Sequence, residues 1–164
     1  MLKPIVEKNL SNINHIEHGF FTRDGGVSSG VFESLNLNAN PEKGENIENV
    51  KKNLDLIRNY FNSNADILKL EQKSENKVIT ITDRSQIYKS YEVDAIVTNL
   101  PNFVIGISTA DCVPILLCDR KKNIIAACHA GWRGAVNGII ENTLSEMKKL
   151  GANDIVAALG AHLR

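Results

Sequence analysis

Residues 101–134 read PNFVIGISTADCVPILLCDRKKNIIAACHAGWRG, and this stretch decides the fold. FVIGIS, VPILLCD and IIAACH are short apolar runs separated by polar residues, which predicts three buried strands. Arg120-Lys121-Lys122-Asn123 joins the second run to the third as a hairpin connection, and its even length pairs Asp119 with Ile124. Continuing that register sets Cys112 opposite Gly131. His129 lies two positions away from Gly131 on the same strand and so on the same face. Cys112 and His129 are therefore expected to converge at the open end of the hairpin. An odd loop would break this parity, because a one-residue slip turns every side chain to the other face.

Downstream of HAGWRG, read as a turn, Val136, Ile139, Ile140, Leu144 and Met147 recur at helical spacing. Lys148 and Lys149 in the last turn and Gly151 as a stop complete an amphipathic helix. A strand over 155–159 follows. Upstream, Ile47, Val50, Leu54, Ile57 and Phe61 predict a second amphipathic helix over 45–61, with acidic residues in its first turn. Residues 78–82 and 92–98 are β-branched and alternating, as strands are. An extended run over 17–22 is expected to feed Arg23-Asp24-Gly25-Gly26-Val27-Ser28-Ser29-Gly30, a loop whose glycines suit left-handed backbone. No linker divides the loop-rich front from the strand-rich back, so residues 1–164 read as a single domain.

The chain has 164 residues, and 43% of them are hydrophobic, enough to bury one core. Nineteen basic residues balance nineteen acidic ones, which argues against sequence-blind nucleic-acid binding and favours a small or neutral partner. Three cysteines, an odd number without CxxC spacing, point to reduced thiols in a cytoplasmic compartment. Neither a signal peptide nor a membrane span is expected. Dinucleotide, triphosphate and RNA readings lose support, because GxGxxG, P-loop, HExxH and basic–aromatic patterns are all missing.

A thiol and an imidazole on one face suit either a zinc site or a cysteine nucleophile with a histidine base. Cys112 also reads as a small apolar core residue, and the bland alternative for His129 is a turn into the following helix. Asp111 is placed to orient the imidazole of His129 or to cap the turn. Arg23 and Arg133 adjoin glycine-rich turns, where a guanidinium beside backbone N–H groups can grip phosphate, or can simply be a solvated charge. Cys118 and Cys128 read as core. His15, His18 and His162 read as structural or surface histidines.

Four blocks taken in order carry a resemblance: HGFFTRDGGVSSGVFESLNLN (18–38), VDAIVTN (93–99), STADCVPILLCD (108–119) and AACHAGWRGAVNGIIENTLSEM (126–147). Together they resemble the laccase-domain family, also called polyphenol oxidase or multicopper oxidase-like, whose bacterial members are purine nucleoside phosphorylases. The resemblance implies an α+β fold: a mixed-sheet sandwich with helices on its outer faces, in four αββα layers. It implies phosphorolysis of adenosine, inosine or guanosine to the base and ribose 1-phosphate, with adenosine deamination and methylthioadenosine phosphorolysis at the same site. It also implies zinc held by one cysteine and two histidines. Copper belongs to an older naming of the family and is disfavoured, since one Cys/His pair cannot supply a multicopper centre.

Carried over residue by residue, Cys112 and His129 match two metal ligands and the catalytic positions. The third ligand is a histidine two residues after a glutamine; here Gln72 fits and Ser74 takes the histidine's place. A serine hydroxyl is a poor zinc ligand at neutral pH, so zinc is expected to be weak or absent unless His18, His162 or Glu75 moves in. Arg23, Asn36, Asp111 and Arg133 are the substrate-binding candidates. The family pattern continues past the strand ending at Leu159, so the domain is expected to be shortened at its C-terminal end, with a second chain as one way of completing it. The implied partners are a purine nucleoside and phosphate, with no nucleic acid and no membrane. Two other readings stand beside this one: a metal-free Cys/His hydrolase or deamidase, and an inactive remnant.

Overall fold

The apolar runs and helical stripes form in the order in which they occur. In the computed structural model, which describes residues 2–38, 42, 44–62, 64–68 and 70–163, the strands are β1 (Asp66–Leu68), β2 (Val78–Ile81), β3 (Ala95–Thr98), β4 (Phe103–Ile105), β5 (Val113–Asp119), β6 (Ile125–Ala130) and β7 (Ile155–Leu159). The helices are α1 (Lys8–Ser11), α2 (Ile47–Phe61), α3 (Trp132–Val136) and α4 (Ile139–Lys149). The central hairpin has the register its loop parity predicts: Val113 pairs with Ala130, Cys118 with Ile125, and the Asp119 N–H donates to the Ile124 carbonyl at 2.9 Å.

Five strands form one mixed sheet in the order β2-β3-β6-β5-β7, and β1 and β4 form a small parallel pair. FVIGIS therefore does not join the hairpin's sheet. Pro101 and Asn102, the latter at φ 52°, turn the chain out of the large sheet, and β4 pairs with β1 instead. Alternation along the strands then builds the layers. Ala95, Val97, Leu117, Ala126 and Cys128 face Ile139 and Met147 of α4. Ile81, Ile96 and Ala127 face the other way and meet Leu68 and Phe103 of the small sheet. Ile67 in turn packs on Ile57 of α2. The result is helix, sheet, sheet, helix, as the resemblance implies, and each fully buried aliphatic side chain in it is worth about 2 kcal/mol.

Some expectations fail for local reasons. Residues 17–22 contribute a single bridge, Phe20 to Ile5, rather than a strand. HAGWRG is not a plain turn: Gly131 caps α3, which begins at Trp132. The expected helix from Val136 to Met147 is broken at Gly138, whose φ of 84° no right-handed helix accepts, and Val136 is 80% exposed rather than part of the apolar stripe. The glycine-rich loop does use left-handed backbone, at Gly25 and Gly30. Cys118 and Cys128 are core as expected, and burial pushes both thiols up to about 11. Among the described residues no helix is long and apolar enough to cross a membrane.

At the end of β5 the buried Asp119 carboxylate accepts the N–H groups of Asp154 (2.9 Å), Asn153 (2.7 Å), Lys121 (2.9 Å) and Lys122 (2.9 Å). The Asp154 bond is the largest influence. Together the four outweigh the cost of burial and hold this carboxyl far below the usual carboxylate range. A depressed folded-state pKa contributes stability above the unfolded value of about 4, and that stability is lost as pH falls further. Asp119→Asn should therefore lower the Tm by several degrees at pH 7. The gap to wild type should narrow progressively below about pH 4 in thermal melts; a gap that is the same at pH 7 and pH 3 would contradict this role.

Candidate functional site

β3 and β6 run antiparallel, with Ala95 opposite Cys128, so the next pair outward is Asp94 and His129. Their side chains share the face that looks toward the small sheet. The His129 N–H donates to the Asp94 carbonyl at 2.8 Å, and Nδ1 of the ring lies 2.7 Å from Asp94 Oδ1. Both residues are buried. The same carboxylate accepts three consecutive amides, from Lys73 (3.2 Å), Ser74 (2.9 Å) and Glu75 (2.8 Å). Burial by itself would raise the Asp94 carboxyl, but the bonds from His129, Glu75, Ser74 and Lys73 overcome it and hold the group below its ordinary value. Asp94 thereby sets which imidazole nitrogen faces the site, leaving Nε2 on the far side of the ring.

The loop at 73–75 is pressed against the start of α3. A β-carbon on Gly134 would lie 2.6 Å from the Glu75 carbonyl oxygen, so only glycine permits this approach. At Gly131 a β-carbon would lie 3.2 Å from Ser74 Oγ and 3.4 Å from Cys112 Sγ, so the hydroxyl and the thiol converge over the glycine. Gln72 completes the frame. Its Nε2 donates to the Ser108 carbonyl and its Oε1 accepts the Ser108 N–H, each at 2.7 Å, tying the segment that leads to Cys112 to the loop that carries Ser74.

The structure thus brings Cys112, Ser74 and His129 to one end of the large sheet. The other predicted residues are engaged differently. Asp111 does not orient His129: Asp94 does, while Asp111 is exposed and its carbonyl accepts the Leu163 N–H at 3.0 Å. The Arg23 guanidinium donates to the Glu33 carbonyl, through Nε at 2.9 Å and through Nη2, and so braces its own loop. Asn36 donates to Glu45 at 2.6 Å and to the Asn38 carbonyl at 3.0 Å. Arg133 stacks over Trp132, 5.3 Å from the ring centroid, and the indole is 74% exposed.

The side chains proposed to replace the lost histidine are likewise occupied. His18 Nε2 accepts the Glu7 N–H at 2.8 Å, His162 Nδ1 lies 2.9 Å from the Gly160 carbonyl, and Glu75 pairs with Lys77 at 2.7 Å. Among the described residues no group of three or more His, Cys, Asp or Glu side chains is placed to hold a metal ion. The residues present supply two zinc donors and a hydroxyl, and so do not fit a zinc site built by this chain.

Asp94 and Gln72 are the residues that sequence reasoning missed as parts of the site. Gln72 had a signal in its place in the motif. Asp94 had its place in the VDAIVTN block and the oddity of an acid entering an apolar strand.

A family model described as multi-copper polyphenol oxidoreductase laccase matches residues 17–164. The chain belongs to this laccase-like family. A Bacteroides thetaiotaomicron relative named purine nucleoside phosphorylase is 36% identical, over 93% of this chain and 60% of its own length. The Escherichia coli purine nucleoside phosphorylase YfiH is 39% identical, over 76% of this chain and 49% of its own. The crystal structure of YlmD from Geobacillus stearothermophilus superimposes with a TM-score of 0.77 at 25% identity, covering 88% of this chain and 57% of that one. A Neisseria meningitidis structure gives 0.74 at 32% identity, covering 87% and 56%. The chain thus spans about half to three-fifths of the length of these relatives, and the laccase-like fold is shared over that part.

The Gln72–Ser108 clamp is open to a direct check. Gln72→Ala should free the arm that ends at Cys112 and raise the iodoacetamide alkylation rate of Cys112 several-fold, read by peptide mass spectrometry. The buried Cys118 and Cys128 serve as unreactive internal controls. An unchanged rate would show that the clamp does not position the thiol.

Proposed function

We propose that this chain carries the nucleoside-cleaving centre of a purine nucleoside phosphorylase, acting on adenosine, inosine or guanosine. The observation that carries the reading is the Asp94–His129 pair, at the end of the sheet where Cys112 meets Gly131. The names borne by the curated relatives point the same way. In the reaction a phosphate oxygen attacks C1′ of the ribose and the C1′–N9 bond breaks. Its electron pair leaves with the purine, which takes up a proton.

His129 is the group suited to deliver that proton, from Nε2 to N7 of the base, because Asp94 holds the ring by the opposite nitrogen. Arg133, next to the Gly131 cradle, and Arg23 are the guanidinium groups assigned to phosphate. Asn36 and Asp111 are assigned to the rim of the nucleoside pocket. Adenosine deamination and methylthioadenosine phosphorolysis belong to the same proposal, since both need the purine in the same place. The compartment proposed is the cytoplasm, where the three cysteines stay free thiols.

The reading is tested by phosphate-dependent release of hypoxanthine from inosine and of adenine from adenosine. His129→Ala and Asp94→Asn should each lower kcat/KM by about 100-fold or more, with melts recorded to confirm folding. Full activity in both variants, or no phosphate-dependent release from any purine nucleoside by the wild type, would overturn it.

Ser74 favours a second reading, a metal-free hydrolase or deamidase with Cys112 as nucleophile and His129 as base, which needs no third ligand. Hydrolysis that is blocked by a thiol alkylator and unaffected by a chelator would select it.

A further inference from the structure

Three segments meet over Gly131: the loop at 73–75, the arm before β5, and the end of β6. Ser74 Oγ and Cys112 Sγ lie 3.2 and 3.4 Å from the same point there, and His129 lies on the same face of the sheet as Gly131. Thiolate and imidazole are strong zinc donors, whereas an alcohol at neutral pH is a weak one. One feature of a metal centre is already present. Asp94 already holds the far nitrogen of the imidazole at 2.7 Å, the outer partner that metal-binding histidines characteristically have.

The backbone of position 74 is fixed independently of its side chain, by the three amide bonds to Asp94. Ser74 sits at φ 59°, in the left-handed region, which histidine enters more readily than most side chains. Position 74 therefore carries a weak donor on a backbone that is already held.

We infer that in this chain the centre is a metal-free thiol–imidazole–hydroxyl site, and that the side chain at position 74 alone keeps it so. The inference concerns what the site holds and does not depend on the reaction it performs. Substituting Ser74→His supplies a third donor over Gly131. Zinc then binds Cys112 as the thiolate, the thiol proton passing to solvent, and binds both imidazoles in neutral form.

The test uses the whole chain, purified without an affinity-tag metal, incubated with zinc sulfate and desalted. Zinc per chain is read by elemental analysis, and affinity by competition with a chromogenic chelator. Wild type should retain little zinc. Ser74→His should retain about one ion per chain and bind at least about tenfold more tightly. Adding Cys112→Ala should abolish the gain. Loading with cobalt(II) gives an independent signature, a thiolate-to-metal charge-transfer band in Ser74→His that the Cys112→Ala background lacks.

Ser74→Cys, which also supplies a thiolate, is read in parallel in case the histidine variant folds poorly. The inference is overturned if wild type holds one zinc per chain that Cys112→Ala removes. It is equally overturned if both position-74 variants melt like wild type and gain no zinc. Neither result bears on nucleoside turnover, so this inference and the phosphorylase reading fail separately.

Discussion

A buried carboxylate has to find donors for its lone pairs, and Asp94 finds them from two directions at once. On one side it accepts from the imidazole of His129, across the β3–β6 pairing. On the other it accepts three consecutive amides from the loop at 73–75. Left unmade, these bonds would strand a charge in the interior; once made, they lock a loop, a strand end and a histidine ring into one arrangement. The rest of the site is built on this joint. The loop cannot carry Ser74 to Gly131, nor present Gln72 to Ser108, unless it is anchored there.

The same device closes the opposite end of the sheet. Asp119, at the far end of β5, gathers four amides from the hairpin connection and from the residues before β7. One carboxylate organises the candidate site and the other organises a turn remote from it, although both are buried acids ringed by N–H donors. What separates them is the histidine. Only Asp94 is coupled to a side chain able to take part in proton transfer, so only that end of the sheet combines rigidity with chemistry.

Glycine supplies the second constraint. The motif that follows β6 needs Gly134 for the Glu75 carbonyl to approach and Gly131 for the thiol and hydroxyl to meet. Close packing of backbone against backbone, rather than exposed flexibility, is what these glycines provide. In this chain the cradle over Gly131 and the orienting carboxylate of Asp94 stand together, and one position in the cradle carries a hydroxyl.

The central hairpin, its register and the shared face of Cys112 and His129 were legible in the sequence, because a short connection and a two-residue repeat are local facts. The helix over 47–61 was legible for the same reason, its stripe being contained in one segment. The role of Asp94 was not. It depends on which strand neighbours which, and the two residues are 35 positions apart. Of the two roles the sequence left open to Asp111, orienting the imidazole falls to Asp94 instead, an acid that sequence closeness to Cys112 could not point to.

The sequence by itself determined the central hairpin, the helical stripes, the thiol–imidazole pair and the serine at position 74, because periodicity and residue identity are written along the chain; the layered class followed from the family resemblance. Only the tertiary structure decided that β4 leaves the large sheet, that Asp94 rather than Asp111 orients the imidazole, and that Ser74 meets Cys112 over Gly131. Those outcomes depend on pairing between distant segments, where burial and the need to satisfy every buried polar group select one arrangement out of many.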